Sequence, residues 1–191
     1  SRLEAFFVST LVVAVGEIGD KTQLLALLLA ARFRRPLPIV AGILAATLCN
    51  HALAGLLGGW IRTVVEPEIL KWMLGGSFLA IAAWAVKADT LDGTEAQPKT
   101  EYGVFIVTLG AFFVAEIGDK TQLATVALAA RFNDLVPVVA GTTAGMLIAD
   151  VPAVLLGVKA AAKIPLKAIR YIAASLFAAM GIAVLAGVGF T

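Results

Sequence analysis

Charge is scarce in this chain of 191 residues: Asp, Glu, Lys and Arg together make up 15% of it, against about 25% in a soluble domain. Hydrophobic residues fill 60%, above the usual 45–50% or so, and the mean hydropathy is +0.95. Such a chain cannot cover itself with solvated side chains, so a water-soluble globule is excluded and an integral membrane protein is expected. Cysteine is nearly absent. Cys49 stands alone, which rules out an internal disulfide. An excess of positive charge is missing too: the net charge is +2, and the basic residues collect at the ends of apolar stretches instead of forming a patch. No nucleic-acid partner is expected. The first apolar stretch has no small-residue cleavage site and carries acidic residues, so it is expected to remain as a span and not to be removed as a signal peptide.

What is present is apolar sequence in lengths that fit a bilayer. A helix needs about 20 mostly apolar residues to cross the hydrocarbon core, and six stretches qualify, near 3–31, 37–60, 68–88, 101–131, 135–159 and 166–189. They are punctuated by "RFRRPLP", "RTVVEPE", "ADTLDGTEAQPKT", "RFND" and "KAAAKIPLK", where charge, Pro and Gly gather. The expected fold is all-α and integral to the membrane. Its units are residues 1–88, a cytosolic linker at 89–100, and residues 101–191.

The two units are one pattern used twice. A single offset of 99 residues, without a gap, maps Glu17 onto Glu116, Asp20 onto Asp119, Lys21 onto Lys120, Arg32-Phe33 onto Arg131-Phe132, Gly42 onto Gly141, Gly58 onto Gly157 and Phe78 onto Phe177. Three spans per unit is an odd number, so the second unit must enter the membrane from the opposite side. Six spans in two inverted-topology three-helix repeats is the arrangement in which secondary transporters build a midplane site. Orientation follows from Lys and Arg near the span ends. The loops after the first, third and fifth spans carry nine, namely Arg32, Arg34, Arg35, Lys87, Lys99, Lys159, Lys163, Lys167 and Arg170; the other side carries Arg2, Arg62, Lys71 and Arg131. Both termini are therefore expected on the non-cytosolic side, which means periplasmic for a bacterial inner membrane and lumenal for an organelle.

Each unit places the heptapeptide "EIGDKTQ", at 17–23 and 116–122, deep inside an apolar stretch. At about 1.5 Å per residue this is near mid-bilayer, where an ionised side chain costs at least about 2.5–3.5 kcal/mol. Four carboxylates and two lysines are tolerable there only if they meet one another or water. Within a motif, Glu and Asp share a helical face, and Lys lies four residues after Glu, where it is expected to pair with it. Gly19 and Gly118 weaken the helix, and a break there would release carbonyl oxygens as further ligands. If the motifs meet, Glu17, Asp20, Glu116 and Asp119 with Lys21 and Lys120 sum to −4 + 2 = −2, the charge that balances one divalent cation. The side chains of Gln23, Gln122, Thr22 and Thr121 add further oxygens, and an all-oxygen set suits Ca²⁺, Mg²⁺ or Mn²⁺. When the metal leaves, carboxylates this crowded need protons in its place, so one site serves both ions of an antiporter. A purely structural role, holding helices together, explains one motif better than it explains seven identical residues repeated amid drifting flanks.

In the second spans "TLCNHALAG" corresponds to "LIADVPAVL", so His51 matches Asp150. Asp150 is a candidate ligand, with Pro152 leaving the Ile148 carbonyl without its helical donor nearby. His51 is a candidate for proton coupling or for a helix-to-helix hydrogen bond, with Lys21 and Lys120 in the same class. Asn50, Thr47, Thr142 and Thr143 read as interhelical hydrogen-bonding residues. Cys49 corresponds to Ile148 and reads as packing. Gly55, Gly58, Gly59, Gly75 and Gly76 read as close-packing positions, and Trp60, Trp72 and Tyr171 as interfacial anchors.

The doubled pattern E-x-G-D-[KR]-[ST], present as "EIGDKT" at 17–22 and 116–121, resembles the signature of the Gdt-type cation/proton exchangers, which include Golgi manganese and calcium transporters and bacterial manganese exporters. The resemblance spans essentially the whole chain, with a short central linker and no long leader as departures from the pattern. It implies six spans, a transported Mn²⁺ or Ca²⁺ with Mn²⁺ preferred, no resident cofactor, protons as the counter-ion, and cation binding by Glu17, Asp20, Glu116 and Asp119. Two other readings compete. Paired "GD" aspartates also occur in intramembrane aspartyl proteases, although these leave the lysines and glutamates unexplained. A passive cation channel would need charge along a path instead of at one level. Oligomeric state is not set by the sequence, and a homo-oligomer is compatible with it.

Overall fold

The computed structural model describes residues 1–87, 100–161, 163 and 165–188, without the side chains of residues 158–161. The linker expected at 89–100 lies outside the described residues apart from Thr100. Among those described, every regular element is a helix: α1 Arg2–Glu17, α2 Lys21–Phe33, α3 Pro36–Val64, α4 Pro67–Ala85, α5 Glu101–Glu116, α6 Lys120–Phe132, α7 Leu135–Ala161 and α8 Leu166–Leu185.

The stretches expected as single spans at 3–31 and 101–131 are each two helices. Both break at the motif glycine, where Gly19 has φ +80° and Gly118 φ +73°, a backbone region that glycine enters at no steric cost. Across the second break the helices bend by 69°. The offset of 99 persists in finer detail. Helices α2 and α6 both stop at a left-handed residue, Arg34 (φ 53°) and Asn133 (φ 52°). Prolines follow at once, Pro36 and Pro38 in the first unit and Pro137 in the second, where their missing N–H groups are least costly.

Three helices are long and apolar enough to cross a membrane, Pro36–Val64, Leu135–Gly157 and Leu166–Leu185, and the bent pair α5–α6 makes a fourth. The α1–α2 pair carries Glu17, Asp20 and Lys21, and α4 carries Glu68 and Lys71; neither is among them. The exterior is apolar, with Leu37, Leu53, Leu56, Trp60, Trp72 and Tyr171 all exposed, whereas Glu17, Asp20, Glu116, Asp119, Lys120 and Asp150 are buried. Lipid takes the place of water for such a surface.

Contacts between the units come in pairs related by the offset. A Cβ on Gly42 would meet the Thr108 side chain at 2.7 Å and the Phe105 carbonyl at 3.0 Å; on Gly141 it would meet the Phe6 carbonyl at 2.4 Å and Ser9 at 2.9 Å. Residues 105 and 108 are the repeat equivalents of 6 and 9. Glycine lets α3 lie against α5 and α7 against α1 in the same way. Gly145 meets Thr10 and Ala14, so α7 and α1 run in the same direction. His51 meets Thr142 while Gly55 meets Leu135 and Val139, so α3 and α7 run in opposite directions, as do α4 and α8 through Gly75–Leu185 and Gly181–Leu79. Gly59 and Gly76, expected as packing positions, face open space among the described residues. Each is the immediate neighbour of a packing glycine, Gly58 or Gly75, but points away from the adjoining helix. One apolar cluster gathers Phe78, Leu128 and Phe177 from α4, α6 and α8; another gathers Leu29, Ile43 and Phe112 from α2, α3 and α5.

Candidate functional site

Between these clusters the two helix breaks face each other. The two breaks share their main bonds. The Gly19 N–H donates to Gln23 Oε1 and the Gly118 N–H to Gln122 Oε1, both at 2.7 Å. The amides of Asp20 and Asp119 bond back to the carbonyls of Glu17 and Glu116. Ending α1 and α5 here puts the negative pole of each helix beside the motif carboxylates.

The lysines correct one expectation. Each crosses to the aspartate of the other motif. Lys120 Nζ donates to Asp20 Oδ1 at 2.5 Å, and Lys21 Nζ lies 3.6 Å from Asp119 Oδ1. The chain break between Glu and Lys removes the i,i+4 geometry that a continuous helix would provide. Burial differs between the two pairs, Lys120 being 4% exposed at its side chain and Lys21 26%.

Glu17, Asp20 and Asp119 offer carboxylate oxygens that all lie within 4.8 Å of one another. A hard divalent cation held about 2.1–2.6 Å from each oxygen spans that separation. Both Glu17 oxygens are buried and accept no hydrogen bond among the described residues, a costly arrangement for a carboxylate and a suitable one for a ligand. Glu116 is held apart from this triad. It accepts a hydrogen bond from the Thr47 hydroxyl at 3.0 Å, and its other oxygen lies 3.5 Å from His51 Nε2. The opposite nitrogen of His51 is 2.9 Å from Thr142 Oγ1, whose hydroxyl donates to the Val139 carbonyl. Asp150 is buried within electrostatic range of Glu17 and Glu116. Formally, three carboxylates and two ammoniums sum to −3 + 2 = −1, and Glu116 and Asp150 beside them bring the neighbourhood to −1 − 2 = −3.

Gln23 and Gln122 use their oxygens to hold the breaks; their amides donate to the Ala149 carbonyl and to Asn50 Oδ1. Asn50 donates to the Phe113 carbonyl. The hydroxyls of Thr22 and Thr121 are buried, with no hydrogen-bond partner among the described residues. Thr47, interhelical as expected, also belongs to the site. Its place four residues before His51 on α3 is the signal that both face one group, here Glu116. Lys87 and Arg170, which enter the sequence reading only through orientation, line with Asp20 and Lys120 a small cleft beside the site. Their charges are distant along the chain, and no local pattern marks them.

Comparison with known proteins gives the family of the chain. The profile of the divalent cation/proton antiporter family GDT1 matches residues 5–93 and 104–189. A Vibrio cholerae protein whose name is that of a candidate manganese exporter is 51% identical over 177 residues, 92% of this chain and 88% of that protein. A GDT1-like protein of Synechocystis is 32% identical over 92% of this chain and 93% of its own length, and GDT1-like protein 5 of Arabidopsis thaliana is 26% identical over 95% of each. No solved structure matches. With both motifs and nearly the whole chain inside the match, this chain belongs to the GDT1 family of divalent cation/proton antiporters, membrane transporters and not enzymes.

Proposed function

We propose that the protein exports Mn²⁺ from the cytosol in exchange for protons, with Ca²⁺ as a second substrate, by alternating access around a site at mid-membrane. The observation that carries this reading is the triad of Glu17, Asp20 and Asp119 within 4.8 Å, assembled from both repeats and braced by lysines that cross between them. A site made of two halves is remade whenever the halves move, as alternating access requires. All-oxygen ligation favours Mn²⁺ and Ca²⁺ over softer metals, and the name of the Vibrio cholerae relative points to manganese.

In this reading α1–α2, α3 and α4 are the three spans of the first repeat, and α5–α6, α7 and α8 those of the second. The opposed directions of α3 and α7, and of α4 and α8, support their inversion. The excess of Lys and Arg on one side puts the α2–α3 turn in the cytosol and both termini outside it, in a bacterial inner membrane by likeness to the bacterial relatives. Glu116 and His51, beside the triad but outside it, take the proton side of the exchange. The triad takes the metal, and Asp150 tunes its charge.

The test is transport by purified protein in liposomes that enclose a pH-sensitive dye. Mn²⁺ added outside should drive protons outward in the wild type and in neither Asp20→Asn nor Asp119→Asn. Metal entry without proton movement would overturn exchange in favour of a uniport or channel mechanism.

A further inference from the structure

Two of the three triad carboxylates, Asp20 and Asp119, each carry a lysine from the other repeat. A divalent ion bound to either carboxylate would sit only a few ångströms from that lysine's charge. Repulsion over such a distance is strong where little water screens it. A lysine can stay beside the metal only if other bonds fix the pair in place.

The two lysines differ in that respect. Lys120 Nζ donates to Asp20 Oδ1 at 2.5 Å, and the same oxygen accepts the backbone N–H of Lys21 at 2.9 Å. Two donors on Oδ1 fix the carboxylate and leave Oδ2, buried and without a hydrogen bond among the described residues, for a metal. Asp20 can therefore hold Lys120 and a divalent ion at once. Lys21 Nζ is 3.6 Å from Asp119 Oδ1, beyond hydrogen-bond length, so the attraction there is between charges alone. Lys21 opens α2, at the helix pole where the backbone disfavours a cation, a disadvantage that Lys120 shares at the start of α6. The side chain of Lys120 is enclosed, whereas that of Lys21 is partly exposed and has room to swing away.

We infer that Lys21 is a tethered counter-cation, displaced from Asp119 when Mn²⁺ binds, while Lys120 stays on Asp20 as the fixed partner. When the metal leaves, Lys21 returns and compensates the carboxylate again. A built-in competitor lowers the affinity of the site, and a transported ion must be held weakly enough to be released on the far side. This role rests on the reading above, in which Glu17, Asp20 and Asp119 take the metal.

Binding and chemical labelling test it without transport, on the purified full chain in detergent. In titration calorimetry with MnCl₂, Lys21→Met removes the competitor and should lower the Kd about tenfold. Lys21→Arg, whose guanidinium fork grips a carboxylate better than an ammonium does, should raise it. Lys120→Met deletes the same charge as Lys21→Met but should raise the Kd, because Asp20 loses a donor that fixes it. Arg170 lines the cleft beside Asp20 without an ion pair to the triad among the described residues, so Arg170→Gln is the control for charge alone and should change the Kd less than about twofold. In the wild type, saturating MnCl₂ should raise the rate at which a water-soluble succinimidyl ester acylates Lys21 about threefold, read by peptide mass spectrometry, as the ammonium leaves Asp119. A higher Kd in Lys21→Met, an equal gain in Arg170→Gln, or a Lys21 acylation rate that MnCl₂ leaves unchanged or lowers would overturn the inference and leave the triad standing as the metal site. Failure of the wild type to bind Mn²⁺ at all would overturn the triad reading, and this role with it.

Discussion

Lys120 rests on the carboxylate of Asp20, 100 residues earlier in the chain, and Lys21 reaches Asp119 in the equivalent way. Each repeat thus completes the charge balance of the other, and neither half can hold its motif in the membrane alone. The reciprocal pairing places the carboxylate oxygens of Glu17, Asp20 and Asp119 on the boundary between the halves, where relative motion would change their spacing most.

The more buried of the two pairs should dominate stability. Removing one partner of a buried ion pair costs about 3–5 kcal/mol, because the other charge is left without compensation. Lys120→Ala should therefore destabilise the protein by about that amount. Lys21→Ala, whose side chain is 26% exposed, should cost less than half as much. Thermal unfolding in detergent, followed by circular dichroism, checks the order.

Triad membership separates the two motif glutamates, which the sequence alone makes equivalent. Glu17→Gln should weaken Mn²⁺ binding at least about tenfold, the loss of one charged ligand from three. Glu116→Gln, at the Thr47–His51 position, should weaken it less while impairing proton exchange. Titration calorimetry with MnCl₂ on both variants decides the matter; equal losses would place both glutamates on the metal. Binding should also fall as the pH is lowered in the wild type, because carboxylates must give up protons to coordinate a metal.

Two glycine substitutions should have opposite effects. Gly118 has φ +73°, so Gly118→Ala forces a side chain into the left-handed region at a cost of about 1–2 kcal/mol. No clash adds to that cost, since a Cβ at this position would meet nothing within 4 Å among the described residues. Gly110 is helical with the same open surroundings, and Gly110→Ala should stabilise by about 0.5–1 kcal/mol. Melting temperatures that moved in one direction for both would contradict the assigned backbone.

The seam between the halves gives a third contrast. A Cβ on Gly141 would lie 2.4 Å from the Phe6 carbonyl oxygen, and a backbone atom cannot swing aside, so Gly141→Ala should cost about 1–3 kcal/mol as an overpacked contact. Gly59→Ala, on the open side of α3 and helical like Gly110, should instead stabilise by about 0.5–1 kcal/mol.

Much of this protein follows from sequence alone. Composition excludes water as the solvent of its surface, because too few charges exist to cover it. The offset of 99 residues fixes a two-unit design, and Gly19 and Gly118 mark where each first span breaks, since local backbone preference acts over a few residues and survives in any context. The tertiary structure decided what those local rules do not reach: that each lysine crosses to the other repeat, that Glu17 joins Asp20 and Asp119 while Glu116 turns to Thr47 and His51, and that Gly58 and Gly157 take different conformations. These depend on how segments about 100 residues apart meet. Packing between such segments is set by the directions and separations of whole helices, which two identical heptapeptides cannot specify.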